Sequence, residues 1–215
     1  MKKNEVLEKI KHKLIVSCQA RPGWAMYGAD IMAAFAKAAE EGGAAGIRAT
    51  GVDNITKIKE KVNLPIIGIN KQFSDYPVYI EIVALDATPR QRPNNEKVED
   101  IVRKIRENYP DVLIMGEIST LQEAKDILPL NFDLISTTLS GYTKESENVT
   151  SVNLELIKQI TKITDTPIIA EGKIKTEEEA AEAIKAGALA VVVGTSITRP
   201  EIITSRYVNY LSSNV

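Results

Sequence analysis

Short apolar runs rich in β-branched residues recur along the sequence, and nearly every one stops at a polar residue or glycine before a stretch of helical periodicity. Such alternation requires parallel strands, because each crossover helix returns the chain to the same end of the sheet. The runs are Leu14 to Ala20, Ala44 to Ala49, Leu64 to Lys71, Ile82 to Ala87, Leu113 to Glu117, Leu134 to Thr138, Ile168 to Glu171 and Ala190 to Val193. Helix patterns fall at Gly28–Glu41, from an Asp53 cap to about Lys61, at Val98–Asn108, Leu121–Leu128, Val152–Thr161 and Thr176–Ala186, and from about Pro200 to Leu211. Thr176-Glu177-Glu178-Glu179 has the form of a capping box, and Gly187 fits a left-handed cap at the other end. Strands and helices in this order predict a (β/α)8 TIM barrel; an open doubly wound sheet would usually announce a G-x-G-x-x-G after a strand. The 215 residues, 44% hydrophobic, are expected to form one domain spanning 1–215.

Composition narrows the function classes. The net charge is −2 and no basic cluster is long enough to track a nucleic-acid backbone, so a nucleic-acid partner is not expected. No apolar run approaches the roughly 18 residues of a membrane span. The segment Asn4 to Lys13 is too charged for the apolar part of a signal peptide and reads as a short amphipathic helix. Cys18 is the single cysteine, which suits a small buried strand residue and a reducing cytoplasm. His12, the single histidine, lies in the charged leader, so a His-ligated zinc site is not expected. Trp24, Tyr27 and the other aromatics are scattered, and core or rim packing is expected of each.

In a barrel of this kind the residues at the C-terminal ends of the strands converge on one site. The first five strands deliver Gln19, Arg48, Lys71, Asp86 and Glu117. The sixth runs into Ser136-Thr137-Thr138 and a hydroxyl-rich loop, the seventh ends at Glu171-Gly172, and the eighth at Gly194-Thr195-Ser196. Lys71 follows an apolar run where desolvation lowers a lysine pKa toward that of a base. With Glu171 it forms the pair that a two-base epimerisation requires, one group removing a proton and the other returning it. A structural Lys71–Glu171 ion pair is the alternative, and Arg48 with Glu117 is open to the same reading. Gly172 and Gly194 are either helix-start turns or a phosphate site, which barrels frequently hold after strands seven and eight; Arg199 is then a bidentate phosphate contact.

These residues resemble the bacterial N-acetylmannosamine-6-phosphate 2-epimerases of sialic-acid catabolism. The matching segments are Leu14-Ile15-Val16-Ser17-Cys18-Gln19-Ala20, Gly42 to Ala49, Leu64 to Lys71, Ala84-Leu85-Asp86-Ala87-Thr88, Ser136 to Thr143 and Ile197-Thr198-Arg199-Pro200, in order along nearly the whole chain. The resemblance implies a phosphate-binding TIM barrel that interconverts N-acetylmannosamine 6-phosphate and N-acetylglucosamine 6-phosphate without metal or other cofactor. It makes Lys71 and Glu171 the catalytic pair and Gln19 and Arg48 substrate contacts. Asp86, Glu117 and Thr138 are further expected substrate contacts, and Gly172, Gly194, Thr195 and Arg199 the phosphate site. A cytoplasmic enzyme is implied, with an amino-sugar phosphate as its small-molecule partner and a homodimer as a further expectation.

The chain departs from the family pattern in three places. Met115-Gly116-Glu117-Ile118-Ser119 carries glutamate where the family usually has aspartate, one methylene longer. Gly194-Thr195-Ser196 retains one glycine of a usual pair. Between Lys71 and Ile82 only ten residues remain, whereas a parallel crossover takes a dozen or more, and the family's Thr-Pro-Thr segment and helix after Tyr79-Ile80 are missing. Either that helix is absent from the protein or residues are missing from the sequence as given; the second is favoured, because bare strands three and four would expose apolar surface. The rival readings are a non-catalytic sugar-phosphate sensor and another phosphate-handling barrel. Metal-dependent pentose-phosphate epimerases would need histidines this chain lacks, and the family-like segments argue against indole- or thiazole-forming synthases.

Overall fold

The computed structural model describes residues 2–69 and 80–214. Eight parallel strands close a barrel in chain order: β1 (Leu14–Cys18), β2 (Gly46–Thr50), β3 (Ile66–Ile69), β4 (Ile82–Asp86), β5 (Leu113–Glu117), β6 (Leu134–Ser136), β7 (Ile168–Glu171) and β8 (Ala190–Val193), which returns to β1. Helix α1 (Lys3–Ile10) precedes β1. Helices α2 (Ala29–Glu41), α3 (Val52–Lys59), α4 (Val98–Asn108), α5 (Leu121–Ile127), α6 (Leu154–Ile160) and α7 (Glu177–Lys185) follow β1, β2, β4, β5, β6 and β7. After β8 come a single turn, α8 (Thr195–Thr198), and the terminal α9 (Pro200–Asn214). The strand–helix alternation of the sequence is therefore that of a closed (β/α)8 barrel. No helix among the described residues is long and apolar enough to cross a membrane.

Local signals explain most boundaries. Thr176 caps α7 by accepting from the Glu179 amide, and Glu179 returns a bond to the Thr176 amide, as the capping box predicts. Gly187 closes that helix at φ +112. One expectation is corrected: Asp53 does not cap α3. Strand β2 runs on to Thr50, Gly51 turns at φ +84, and the helix starts at Val52, which leaves Asp53 inside the first turn with no capping bond. There its charge only complements the helix dipole.

The two-residue period of the strands separates the core into layers. Ile15, Ile67, Ile82, Ala84, Leu113, Met115, Leu134, Ile169, Ala190 and Val192 form a cluster within the barrel, while Val16, Ile47, Ile66, Val83, Ile114, Ile168 and Val191 pack in the clusters of the helical shell. Continuing the inward-facing set toward the strand ends gives Arg48, Asp86, Glu117 and Glu171, all at a cavity. Apolar packing at the floor thus sets the polar layer above it.

The stretch between β3 and β4 contains no helix among the described residues. Lys71 and the rest of 70–79 lie outside them, so the join at Ile80–Glu81 borders that segment. On its described side, Ile80 lies against the outer face of β3: a Cβ on Gly68 would come within 2.6 Å of Ile80 Cδ1. Glu81 secures the strand starts by accepting from the Ile66 amide (2.8 Å) and Lys59 (3.3 Å), and its carbonyl accepts from the Leu113 amide (3.0 Å).

Helix α1 stops the other end of the barrel. Val6 and Ile10 are 2% and 1% exposed and join the interior cluster, with the charged face outward. Truncating Ile10→Ala is expected to destabilise the protein by about 2–5 kcal/mol, whereas Glu8→Ala on the exposed face should stay within about 0.5 kcal/mol. Urea unfolding of the two variants checks this, and equal effects would contradict the plug role.

Candidate active site

A cavity of about 1490 Å³ opens at the C-terminal ends of the strands. Gln19, Arg48, Asp86, Glu117, Thr138, Glu171, Gly172, Gly194, Thr195 and Arg199 all line it. Every candidate named from the sequence is therefore brought to one place except Lys71, which lies outside the described residues.

At its centre Arg48 joins two carboxylates. One terminal nitrogen, Nη1, is 2.9 Å from Glu171 Oε1, and the other, Nη2, donates to Glu117 Oε1. Arg48 and Glu117 are 5% and 4% exposed, so the charge pair anticipated between them is present, and it extends to Glu171. Glu171 also accepts from the Thr138 hydroxyl at 3.0 Å, and Thr138 is 2.7 Å from the Ser136 hydroxyl. The backbone of Glu171 is pinned through Thr137, whose hydroxyl accepts from the Glu171 amide (3.1 Å) and donates to its carbonyl (2.9 Å). Arg48 Nε is buried without a hydrogen-bond partner among the described residues.

One cation between two buried carboxylates leaves a local excess of negative charge. Burial raises the Glu171 pKa first of all; Arg48 lowers it, Glu117 raises it, the Thr138 hydrogen bond lowers it, and the outcome is about 7 against an ordinary 4.5. Burial works against the Arg48 charge, but the two carboxylates outweigh it and hold the guanidinium above its ordinary range. Cys18 stays apart from this chemistry: burial pushes its thiol up to about 12, as suits a packing residue.

The late strands form a second zone. Gly172 turns at φ +102, and Lys173 after it adopts φ +59 with its ammonium 4.4 Å from the Tyr142 ring centroid. Gly141 permits this approach, since a Cβ there would lie 2.2 Å from Lys173 Cε. Beyond β8, Gly194 passes close to β1, where an added Cβ would meet Ser17 Cβ at 3.2 Å. The Thr198 hydroxyl donates to Ser17 O (2.8 Å) and Ser196 to Ile174 O (3.2 Å), which joins the loops after β7 and β8. Arg199 pairs with Glu201 and stacks on Trp24.

Other candidates are more tightly bound than the strand pattern suggested. Asp86 accepts from the Thr88 amide (3.0 Å) and hydroxyl (2.6 Å) and pairs with Arg90, so it organises its own loop. Gln19 donates to Ser17 Oγ at 2.7 Å. Sequence reasoning missed Arg21, Arg90, Arg92, Tyr142 and Lys173, which also line the cavity, and assigned Trp24 only to packing. Each lies within a few residues of a strand end, which is the signal that would have found them. Among the described residues no group of three or more His, Cys, Asp or Glu side chains is arranged to hold a metal ion.

Comparison with known proteins agrees with this fold. The family model NanE, for N-acetylmannosamine-6-phosphate epimerase, matches residues 32–81 and 79–213, two pieces that meet at the short crossover. A relative from Caldanaerobacter subterraneus subsp. tengcongensis, provisionally named N-acetylmannosamine-6-phosphate 2-epimerase, is 44% identical over 223 residues, covering 96% of this chain and 94% of the relative. One from Latilactobacillus sakei with the same provisional name is 40% identical over 225 residues, covering 96% and 97%. The solved N-acetylmannosamine-6-phosphate 2-epimerase of Clostridium perfringens superposes with a TM-score of 0.87 at 44% identity over 95% of both chains. A Pyrococcus furiosus thiamine phosphate pyrophosphorylase, 18% identical with a TM-score of 0.62 over 92% of this chain and 93% of that one, shares the fold alone.

Titration of the Glu171 carboxyl, followed by carbon NMR of glutamate-labelled protein, is expected to give a midpoint near 7. Glu117→Gln removes a negative neighbour and should move the midpoint down. Thr138→Val removes a hydrogen bond to the carboxylate and should move it up. Shifts of the opposite sign would contradict this electrostatic account.

Proposed function

Because the chain belongs to the N-acetylmannosamine-6-phosphate epimerase family, we propose that it interconverts N-acetylmannosamine 6-phosphate and N-acetylglucosamine 6-phosphate by removing and returning the proton at C2. The observation that carries the reading is the Glu171 carboxyl, largely shielded from water and paired with Arg48 at the mouth of the barrel, where burial pushes its pKa up to about 7. A group poised there gives and accepts a proton at neutral pH with similar ease. The C2 proton is acidic only when C1 is an aldehyde, so the ring-opened sugar is the reacting form.

In this reading Lys71 and Glu171 are the two groups that exchange a proton with C2. One takes the proton, the electron pair passes to O1 as an enolate, and the other delivers a proton to the opposite face; the roles exchange in the reverse direction. Arg48, whose Nε has no hydrogen-bond partner among the described residues, is assigned to stabilise charge at O1. The reaction runs on side chains, without a metal ion or other cofactor. Gln19, Asp86, Glu117 and Thr138 are assigned to the sugar, and Gly172, Gly194, Thr195 and Arg199 to the phosphate.

The reading includes a cytoplasmic enzyme working as one domain without a nucleic-acid partner, on the grounds of a lone buried Cys18 and a net charge of −2. It also includes a homodimer. Helix α9 has no buried residue and exposes Tyr207, Val208, Tyr210 and Leu211, an apolar face that a second copy would cover.

Incubation with N-acetylmannosamine 6-phosphate in heavy water, followed by proton NMR, tests the chemistry. The wild type should form the C2 epimer with deuterium at C2, and Lys71→Ala and Glu171→Ala should each abolish both while remaining folded. Tight binding without exchange would instead indicate a sensor, and retained turnover in both variants would rule out the residue assignment. In sedimentation velocity the wild type should run as a dimer and Tyr210→Glu/Leu211→Glu as a monomer; a monomeric wild type would sink the dimer.

A further inference from the structure

The cavity wall carries an arrangement that the proton chemistry does not use. The guanidinium carbon of Arg199 lies 3.9 Å from the centroid of the Trp24 ring, and that of Arg21 approaches the same ring at 5.6 Å. All three side chains line the cavity together with Thr195 and Ser196.

We propose that Trp24 is a positioning residue for the phosphate end of the substrate: it holds the Arg199 guanidinium flat against the indole so that its free edge meets a phosphomonoester. The inference rests on the assignment of Arg199 to phosphate made above.

Three contacts constrain this arginine before any ligand arrives. Its backbone follows α8, which is fixed to β1 by the Thr198 hydroxyl bond to Ser17 O at 2.8 Å. Its Nε donates to Glu201 Oε1 at 2.8 Å. Its guanidinium carbon sits over the indole, the ring that attracts a guanidinium most strongly. Nη1 and Nη2 make no hydrogen bond among the described residues, so the fork that suits two phosphate oxygens is left available.

A flexible arginine loses rotamer freedom when it binds an anion. Here much of that loss has already occurred in the free protein, which is how preorganisation raises affinity. Arg21 adds a second positive charge on the same ring. A sugar lacking the phosphate gains nothing from the arrangement, so Trp24 would favour phosphorylated substrates through KM and not through the proton-transfer step.

The chain contains one tryptophan, so its emission reports this contact directly. Kinetics with N-acetylmannosamine 6-phosphate and inhibition by inorganic phosphate are to be compared in wild type, Trp24→Leu, Trp24→Phe and Arg199→Ala, and emission titrations with inorganic phosphate in wild type and Arg199→Ala. In Trp24→Leu, KM and the phosphate inhibition constant should rise by a common factor of about two to thirty, while kcat holds within about twofold. Trp24→Phe keeps a π face and should recover most of the loss. Inorganic phosphate should change wild-type emission saturably, and Arg199→Ala should remove that response. Unchanged constants in Trp24→Leu, a loss confined to kcat, or a phosphate response that persists in Arg199→Ala would overturn the proposal. A wild type that does not epimerise hexosamine phosphate yet shows the Arg199-dependent emission change would refute the epimerase reading and support the role of Trp24.

Discussion

The site depends on one buried cation held between two carboxylates. Arg48 gives one terminal nitrogen to Glu117 and the other to Glu171, with all three side chains almost fully shielded from water. Taking these charges out of solvent is costly, and the attraction among them repays that cost only while the set is complete. Loss of Arg48 would leave two carboxylates facing each other, whereas loss of Glu117 alone leaves a balanced pair. With three members the set carries a net negative charge, and it is relieved by one proton on Glu171. The stability linked to that proton follows from the raised pKa. It is complete below about 4.5 and is lost as pH rises through about 7, opposite to the behaviour of a carboxylate whose pKa is depressed.

The barrel supplies this geometry through alternation. Parallel register pairs Asp86 with Glu117 and Glu117 with Ser136, while Arg48 enters from β2. Inward positions lower on the same strands are apolar, and α1 closes them off. The floor is therefore apolar and packed, and the polar layer above it opens to the cavity. Glutamate at 117 fits this arrangement: its extra methylene, relative to aspartate, extends the carboxylate toward Arg48, with which it pairs directly. The same extension commits it to the arginine, which makes it a structural partner of Arg48.

Legibility differed between levels of structure. Strand and helix order could be read because β-branched runs, capping residues and glycines act locally: Thr176 with Glu179 and Gly187 bound α7 by themselves. Convergence of the strand ends could be read because the fold class dictates it. Partnerships across the cavity could be read only in part: the Arg48–Glu117 pair was one of the readings the sequence offered, but the reach of Arg48 to Glu171 was not, since the sequence holds no distance between strands. Asp86 looked like a free carboxylate because the loop that wraps it, through Thr88 and Arg90, is not periodic. Trp24 was read as packing because nothing local reveals that Arg199, from the far end of the chain, comes to rest on it.

The short connection between β3 and β4 bears on how the barrel closes. Its relatives align over 223 and 225 residues, more than the 215 of this chain, and the family match divides at the same place. Whatever length of chain makes the connection, closure requires only that β4 meets β3 in register, and the pairs Ile67–Ile82, Gly68–Val83 and Ile69–Ala84 are present. The described flank contributes to that directly. Glu81 ties the starts of β3, β4 and β5 through the Ile66 and Leu113 amides, and Ile80 fills the space above Gly68, so part of the outer face of β3 is covered. Register at this joint is thus held by contacts at the floor and outer wall, away from the polar layer.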